Sequence, residues 1–394
     1  MMLRPHDLAD LADTDRRDVL SIYLDIDATK PANQTATPAY LIWLRNALRE
    51  TVDHLFKDKR RVADEPATAA LHFVESMKPE GRGLAIFAAP DLWRQFSLPY
   101  PLPNHVAYGL PDLIPLLWAI DEYEPYAVLV VDREHARIVV TSLGGARVVE
   151  EEELGLDTSD WRFTAGRQPP FTKATGSGAS RGTQRDTFDA RVDDHIRRFW
   201  HGAADAAARW LDELQIRRLI IGGQEEAAAA VRELLPEPAR GKVIGIVPLP
   251  AHAEVPVIRE RTEPVALEEE RRRDAELVAR VLEGAAAQAG GVVGKVATIE
   301  ALQEGQALTV IADRELAGDV WQCTQCRFVS GKAVERCPAC GGTVEALPLA
   351  QALPLLARRG GATIEFMGEE AAAGLRPHEG LGAVLRYVST PAAR

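Results

Sequence analysis

Four cysteines are the residues whose types and spacing most clearly indicate chemistry. Cys323 and Cys326 form one Cys-x-x-Cys pair, and Cys337 and Cys340 form a second pair after ten intervening residues. Each pair can fold as a tight turn that presents two thiolates on one side, so two pairs supply a tetrahedral four-sulfur shell that suits zinc. Because four protein ligands leave no open position for water, we expect a structural zinc site. Iron is the alternative ion.

A redox role for these cysteines is disfavoured by their context. A thioredoxin-like Cys-x-x-Cys pair lies on a turn between a strand and a helix, whereas both pairs here lie in a loop-rich stretch. The chain has four cysteines in all, so no cysteine remains for a disulfide framework. That usage is typical of a reducing compartment.

The segment over residues 161–185 is the second candidate for chemistry. It contains no acidic residue and five basic ones, which are Arg162, Arg167, Lys173, Arg181 and Arg185. Glycines, serines, threonines and aromatic residues lie between them. Such a segment can follow phosphates and stack on unpaired bases. The alternative is a mobile surface loop whose charges are only solvated.

Other candidate residues have simpler explanations. Residues 222–224 read Gly-Gly-Gln after a predicted strand, and a tight turn into a helix accounts for them. His135 and His195 lack a serine or cysteine nucleophile arrangement. Asp193 and Asp194 lie on the polar face of a predicted helix, which favours a solvated pair over an acid–base pair.

Length, composition and charge limit the class of protein. The chain has 394 residues, of which 46% are hydrophobic and 26% charged, so it is an ordinary globular protein of two or three domains. Its formal net charge of −12 argues against a protein that coats nucleic acid through bulk charge. The acidic run over residues 150–153 is interpreted as a solvated loop face. No apolar run is long enough to span a membrane and the first residues do not resemble a signal peptide, so we expect a cytoplasmic protein.

Hydrophobic patterns predict a mixed α/β protein in three parts. In the first part, strands are predicted over residues 19–26 and 84–88 and a helix over residues 39–56. In the second, predicted strands cover residues 126–132, 136–141, 146–149, 219–221 and 243–247, and helices cover residues 186–214 and 225–235. Strands that alternate with helices indicate a mixed or parallel sheet.

The third part follows a stretch rich in proline and charge at residues 248–264. Helices are predicted over residues 267–287, 298–302 and 347–358, and strands over residues 307–312, 362–366 and 381–387. The four-cysteine cluster interrupts this part. Trp321 and Phe328 lie near the cysteines, and we expect them to pack against a ribbon that is too small for its own core.

The order of these elements resembles that of the archaeal and eukaryotic class-one peptide-chain release factors and their relative Pelota. The matching segments, covering residues 126–387, are 127–138 (AVLVVDREHARI), 188–196, 219–223, 361–366 (GATIEF) and 380–387 (GLGAVLRY). The first 122 residues are more similar to the bacterial branch, which includes release-factor-like proteins and Balon-like ribosome hibernation factors. The resemblance implies three small mixed α/β domains over residues 1–122, 123–258 and 259–394. It also implies an inserted zinc ribbon at residues 320–345, since archaeal members carry a four-cysteine ribbon in their last domain.

Release factors of this family carry Gly-Gly-Gln in the central-domain loop, where it positions water against the peptidyl-tRNA ester. The matching positions here are Gly182, Thr183 and Gln184, so the second glycine is missing. The resemblance therefore assigns Gln184 as the catalytic candidate and extends the RNA-binding segment to Gly182, Thr183, Gln184 and Arg185. It gives the Gly-Gly-Gln at residues 222–224 no catalytic meaning, because the family has an ordinary turn there.

The resemblance leads to one principal hypothesis and two alternatives. The principal hypothesis is a ribosome-associated factor that binds the A site, with its basic loop toward the P-site tRNA, for hibernation or rescue and without ester hydrolysis. Elongation factor Tu or another translational GTPase is the implied delivery partner. The first alternative is a peptidyl-tRNA hydrolase that acts through Gln184. The second is an RNA-binding regulatory protein that does not act on the ribosome.

Overall fold

The computed structural model describes residues 5–14, 16–142, 145–154 and 182–387, with only the backbone for residues 5, 6 and 182–191. The chain divides into two compact units, one formed by residues 1–124 with 268–394 and the other by residues 125–267. Each unit combines sheets and helices, which confirms the mixed α/β class. The division into three domains stays a prediction, and its first and last segments share one compact unit.

The first segment is a four-stranded antiparallel sheet covered by two helices. Its elements are α1 (Ala9–Ala12), β1 (Val19–Asp25), α2 (Ala39–Asp53), α3 (Lys57–Ser76), β2 (Gly83–Ala89), β3 (Leu92–Leu98), β4 (His105–Gly109) and α4 (Ile114–Glu122). The strand order is β3-β2-β1-β4. Leu41, Leu44, Leu48 and Val52 recur at helical spacing, so α2 buries them as one stripe in the core of this sheet.

The predicted helix over residues 39–56 is wrong at its end. α2 stops at Asp53, residues 54–56 reverse the chain, and α3 begins at Lys57. The hydrophobic pattern did not predict α3. This helix contains Pro66, which is buried in the first segment, although an interior proline removes a helical hydrogen bond.

The central unit is a five-stranded mixed sheet with helices on its faces. Its elements are β5 (Tyr126–Val131), β6 (His135–Ser142), β7 (Gly145–Glu153), α5 (Gly182–Glu213), β8 (Leu219–Gly223), α6 (Glu225–Leu234), α7 (Glu237–Arg240), β9 (Val243–Val247) and the start of α8 (Val255–Ala286). The order is β7-β6-β5-β8-β9, with β8 parallel to β5 and β9 and the other pairs antiparallel. The predicted mixed sheet is confirmed. Helices α5 and α6 contribute to the core on one face, and the start of α8 contributes to the core on the other.

One prediction in this region is wrong. The acidic run of residues 150–153 belongs to β7 rather than to a loop, because β6 pairs with it and Glu150 accepts hydrogen bonds from the Arg209 and Trp210 side chains. The stretch rich in proline and charge at residues 248–264 includes the start of α8, which begins at Val255 and runs through Pro264. The predicted boundary at residues 258/259 therefore falls inside a helix, and the two compact units divide at 267/268.

The last segment contains a four-stranded sheet and the cysteine ribbon. Its elements are β10 (Gly291–Val293), α9 (Lys295–Gln303), β11 (Ala307–Asp313), β12 (Asp319–Cys323), β13 (Val329–Ser330), β14 (Val344–Pro348), α10 (Leu349–Gly360), β15 (Thr363–Met367), α11 (Glu369–Ala372) and β16 (Leu381–Leu385). The main sheet has the order β10-β16-β11-β15, and the ribbon has the order β13-β12-β14. Leu110 and Ile114 of the first segment share a core cluster with Leu302 and Leu353 of the last. That shared core explains why the two segments form one unit.

Among the described residues, no helix combines the length and apolar character needed to cross a membrane.

Candidate functional site

The four cysteines converge at one end of the ribbon. Cys323 Sγ lies 3.5 Å from Cys340 Sγ, Cys326 Sγ lies 3.5 Å from Cys337 Sγ, and all four sulfurs lie within 4.8 Å of one another. A tetrahedral shell with metal–sulfur bonds of about 2.3 Å separates its sulfurs by about 3.8 Å. A disulfide would hold them at about 2.05 Å. The four sulfurs are thus spaced as ligands of one metal ion.

The backbone around Cys323 favours the thiolate that binds metals. The N–H groups of Cys326 and Gln325 donate to Cys323 Sγ at 3.5 Å and 3.4 Å. These hydrogen bonds, that of Cys326 first, lower the pKa of the Cys323 thiol to about 6. Gly342 lets the second turn approach, because a Cβ there would lie 2.8 Å from Gln325 Oε1 and 3.2 Å from Cys323 Sγ.

The ribbon is held by its attachment to the larger unit. Val320 and Val329 join the core cluster to which α9 and α10 also contribute. Trp321 is partly buried, with the Lys295 ammonium 5.6 Å from its ring centroid, and Phe328 is also partly buried. The predicted packing roles of the two aromatic residues agree with these positions.

The basic segment falls almost entirely outside the described residues. Arg162, Arg167, Lys173 and Arg181 lie outside them. Gly182, Thr183, Gln184 and Arg185 have a described backbone only, and it forms the first turn of α5, although the helix was predicted to begin near residue 186. The RNA-binding role of the segment and the catalytic role of Gln184 therefore stay predictions.

Packing accounts for both glycines of the Gly-Gly-Gln at residues 222–224. Gly222 and Gly223 end the buried strand β8, where a Cβ on Gly222 would lie 2.7 Å from Leu249 Cδ1. Gly223 has a φ of 149°, and a Cβ there would lie 2.2 Å from the Val131 carbonyl oxygen. Gln224 is exposed and caps α6 without a side-chain hydrogen bond.

The hairpin at residues 132–135 has a structural role. Asp132 Oδ1 accepts hydrogen bonds from the N–H groups of Glu134 at 2.7 Å and His135 at 2.6 Å, which fixes the turn between β5 and β6. Trp200 Nε1 of α5 donates to the Asp132 carbonyl at 2.7 Å. His135 packs against the ring of His252, with centroids 4.3 Å apart. The sequence resemblance over residues 127–138 thus lies on a turn that anchors α5.

A carboxylate cluster in the larger unit was missed by the sequence analysis. Oxygens of Asp121, Glu270 and Glu365 lie within 4.8 Å of one another, and Asp121 Oδ2 accepts the Phe366 N–H at 2.6 Å. Burial and the adjacent Glu365 hold the pKa of Asp121 well above its usual range. The three residues come from α4, α8 and β15, so no local spacing could have indicated that they meet.

Comparisons with known proteins gave one family match and several similar solved structures. Residues 111–267 match the family model described as bacterial archaeo-eukaryotic release factor family 10. Among solved structures, the chain is similar to an archaeal translation termination factor, aRF1, with 15% identity, 97% coverage of this chain, 96% of that chain and a TM-score of 0.27. It is also similar to archaeal Pelota in a model of ribosome-bound Pelota and ABCE1, with 13% identity, 98% and 94% coverage and a TM-score of 0.42. Dom34 of S. cerevisiae gives 10% identity, 82% and 79% coverage and a TM-score of 0.42.

A search of curated proteins gave no match.

Proposed function

We propose that the chain is a ribosome-associated translation factor of the archaeo-eukaryotic release factor and Pelota superfamily, because residues 111–267 match the model of bacterial archaeo-eukaryotic release factor family 10. The family match is the observation that carries this proposal. The matched residues include the whole of the compact unit formed by residues 125–267. The basic segment of residues 161–185 lies within the match and carries five basic residues in a chain of net charge −12. That charge distribution favours contact with RNA at a limited basic surface and disfavours nonspecific coating of RNA by the whole protein.

Co-sedimentation with bacterial ribosomes tests the proposal. The protein should pellet with vacant or translating ribosomes at moderate salt, and charge reversal at Arg162, Arg167, Lys173, Arg181 and Arg185 should weaken the association and flatten its salt dependence. Failure to pellet with either kind of ribosome would favour the alternative of an RNA-binding regulator that does not act on the ribosome.

The finer proposal is A-site binding for hibernation or rescue without ester hydrolysis, in the cytoplasm. Its support is the sequence Gly182-Thr183-Gln184, which has threonine where release factors have the second glycine. An oxyanion-stabilising backbone that needs an unusual φ at that position is less accessible to threonine. We expect a structure of the ribosome-bound protein to place the start of α5 near the acceptor end of P-site tRNA.

The second candidate is a peptidyl-tRNA hydrolase, and Gln184 favours it because the glutamine itself is retained. A release assay on ribosome-bound peptidyl-tRNA separates the two candidates. Under the non-hydrolytic proposal, wild type and Gln184→Ala release no peptide, and Thr183→Gly tests whether the restored glycine creates activity. Release by wild type that Gln184→Ala abolishes would establish the hydrolase instead.

A translational GTPase is proposed as the delivery partner, with elongation factor Tu as the first protein to test. The proposal comes from the resemblance to superfamily members that act with such GTPases. Pull-down with each GTPase in its GTP and GDP states should show retention in one nucleotide state only. Equal retention in both states would argue against delivery.

We propose that the four cysteines hold a structural zinc ion. The support is the donor set of four sulfurs within 4.8 Å of one another and the N–H groups that favour the Cys323 thiolate. The ion would cross-link the two turns of the ribbon and leave no coordination position for a substrate. Metal analysis of the purified chain should find one zinc per chain.

A further inference from the structure

Helix α5 is longer than the sheet on which it packs. Its 32 residues span about 48 Å at 1.5 Å per residue, whereas the nine residues of β7 span about 30 Å. Among the α5 side chains that the structure describes, which begin at Val192, Ile196 is the first buried one. Gln184 lies about three turns ahead of Ile196. The direction of the start of α5 therefore depends on how the rest of the helix is held.

The contact between α5 and the sheet is smooth. Four alanines of the helix are buried in the core cluster that it shares with β5, β6 and β8, and they are Ala203, Ala204, Ala206 and Ala207. Alanine methyl groups interlock less than larger side chains do, so they bring the helix close to the sheet without fixing where it lies. Hydrogen bonds are directional, and they can fix the position of the helix.

Two tryptophans of α5 form such hydrogen bonds at two separate points. Trp200 Nε1 donates to the Asp132 carbonyl oxygen at 2.7 Å, in the turn between β5 and β6. Trp210 Nε1 donates to the Glu150 carboxylate of β7. The two tryptophans are about 15 Å apart along the helix axis, at 1.5 Å per residue. A rod held at one point can turn about it, whereas a rod held at two points has a fixed direction.

The acceptors of both hydrogen bonds are held by the sheet. The Asp132 carboxylate accepts the N–H groups of Glu134 and His135, which fixes the turn that carries the Asp132 carbonyl. Glu150 lies in β7, where it pairs with Ile138 of β6. Both indoles thus attach α5 to regular structure, which is a more rigid support than a loop.

We propose that Trp200 and Trp210 are positioning residues that fix the direction of α5 and, through it, the location of Gln184. Residue 184 lies about 24 Å from Trp200 along the helix, so a rotation of about 10° about Trp200 moves it by about 4 Å. A contact at hydrogen-bonding distance does not tolerate a displacement of that size. The meeting of Gln184 with the acceptor end of a tRNA rests on the proposed function, whereas the positioning of α5 does not.

The distance between two spin labels tests the positioning. The labels are attached at residues 187 and 229 of the same compact unit, through a genetically encoded ketone side chain that leaves the four cysteines untouched. Trp200→Phe and Trp210→Phe each keep an aromatic ring and remove the N–H donor. Double electron–electron resonance should show a distance distribution that shifts or broadens by about 3 Å or more in each variant, and by more in the double variant. Wild-type distributions in all three variants would overturn the proposal.

Phe199→Leu is the matched control, because it removes packing from the same helix without removing a hydrogen bond. Phe199 is buried in the core cluster of α5 and the sheet. The substitution should lower the melting temperature and leave the distance distribution unchanged. A distribution as broad as that of Trp200→Phe would show that any loss of packing moves α5, and the indoles would lose their positioning role.

Glu150 tests the second anchor from the side of the acceptor. Glu150→Gln keeps an acceptor for Trp210 Nε1 and should preserve the wild-type distribution, whereas Glu150→Ala should broaden it as Trp210→Phe does. Arg209→Ala removes the ion pair that this arginine forms with Glu150, and it should have no effect because such exposed pairs contribute little. Equal distributions for Glu150→Gln and Glu150→Ala would contradict the role of Trp210.

Crosslinking on ribosomes separates this proposal from the proposed function. With a photoreactive side chain at residue 184, the otherwise wild-type protein should crosslink to P-site tRNA. The double variant Trp200→Phe, Trp210→Phe should pellet with ribosomes equally well and crosslink at least about fivefold less. Wild type that never pellets removes the proposed function, and the spin-label distances still decide whether the indoles position α5. Unchanged distances in a protein that pellets overturn the positioning and leave the proposed function standing.

Discussion

The central sheet and the cysteine ribbon each carry a conspicuous short motif, and the two motifs use their residues in opposite ways. In the sheet, Gly222 packs against the Leu249 side chain and Gly223 against the Val131 backbone, and the Gln224 side chain forms no hydrogen bond with any of the described residues. In the ribbon, side chains separated by up to 17 positions meet, as Cys323 and Cys340 do at 3.5 Å. A motif indicates chemistry when its side chains converge on one point. It indicates packing when its residues are small because neighbouring atoms lie close to the backbone.

The two regions also differ in what stabilises them. The central sheet is buried on both faces by two apolar clusters. The ribbon has three short strands, and its apolar residues belong to a core that it shares with α9 and α10. We therefore expect the sheet to depend on packing and the ribbon tip to depend on its ligands.

Metal removal should have the largest effect and should be confined to the ribbon. Binding of structural zinc is worth about 10 kcal/mol or more in small sites and is coupled to folding. Chelation, or Cys326→Ser, should make residues 323–343 sensitive to proteolysis and leave the central unit protected. Mass spectrometry of the fragments locates the cleavage, and the exposed Lys332→Ala is the control. Cleavage that begins in the central unit would contradict the distinction between the two regions.

Gly223→Ala should have the next largest effect, in the sheet. The added Cβ would meet the Val131 carbonyl oxygen at 2.2 Å, with φ at 149°, so β8 must shift away from β5. We expect a loss of about 3 kcal/mol or more in the free energy of unfolding, measured in urea.

Gly202→Ala in α5 is the matched control for that substitution, because a Cβ there would meet nothing within 4 Å. An exposed helical glycine replaced by alanine should stabilise the chain by about 0.5–1 kcal/mol. Similar effects of the two substitutions would show that packing does not fix the Gly-Gly-Gln segment.

Asp274 lies buried in the unit that carries the ribbon, and its negative charge should lower the stability of that unit. Burial raises the pKa of Asp274 to about 6, while the Gly368 N–H lowers it. A raised pKa in the folded state gives stability that is present below the unfolded pKa of 3.8 and is lost as the pH rises through about 6. Asp274→Asn should therefore raise the free energy of unfolding by about 1 kcal/mol at about pH 7.5, after screening by solvent, and raise it little at about pH 4.5.

The variant Asp274→Ala separates charge from hydrogen bonding in this experiment. Asparagine keeps an acceptor for the Gly368 N–H, which Asp274 Oδ2 accepts at 2.8 Å, and alanine does not. Asp274→Ala should thus gain less free energy of unfolding than Asp274→Asn at the higher pH. A gain that is the same at both pH values would contradict the assignment of the cost to the buried charge.

Local sequence patterns were sufficient to predict the sheet of the central unit and the convergence of the four cysteines. The apolar run at residues 126–132 and its partner at 136–141 form β5 and β6, because a buried strand is specified by local residues. The four cysteines were found from their spacing alone, since two tight turns bring their own sulfurs together.

Features set by distant residues could not be predicted. The glutamates of residues 150–153 form a strand because β6 pairs with them and α5 supplies Arg209 and Trp210. α8 continues through Pro264 while Thr262 Oγ1 contacts Tyr126 Oη at 3.1 Å, so tertiary contacts outweigh the local tendency of proline to end a helix. The carboxylates of the larger unit meet only after three distant elements have packed.

Gln224 gives the smallest expected effect and the sharpest test of the difference between a packed motif and a chemical one. Its side chain is exposed and makes no capping hydrogen bond, so Gln224→Ala should change the free energy of unfolding by less than about 0.5 kcal/mol. Gln224→Ser should stabilise α6 by about 1 kcal/mol, because serine caps a helix and glutamine does not. Ribosome association should be unchanged in both variants. A loss of association in Gln224→Ala, with stability intact, would mean that the Gly-Gly-Gln at residues 222–224 has a function that its backbone packing does not explain.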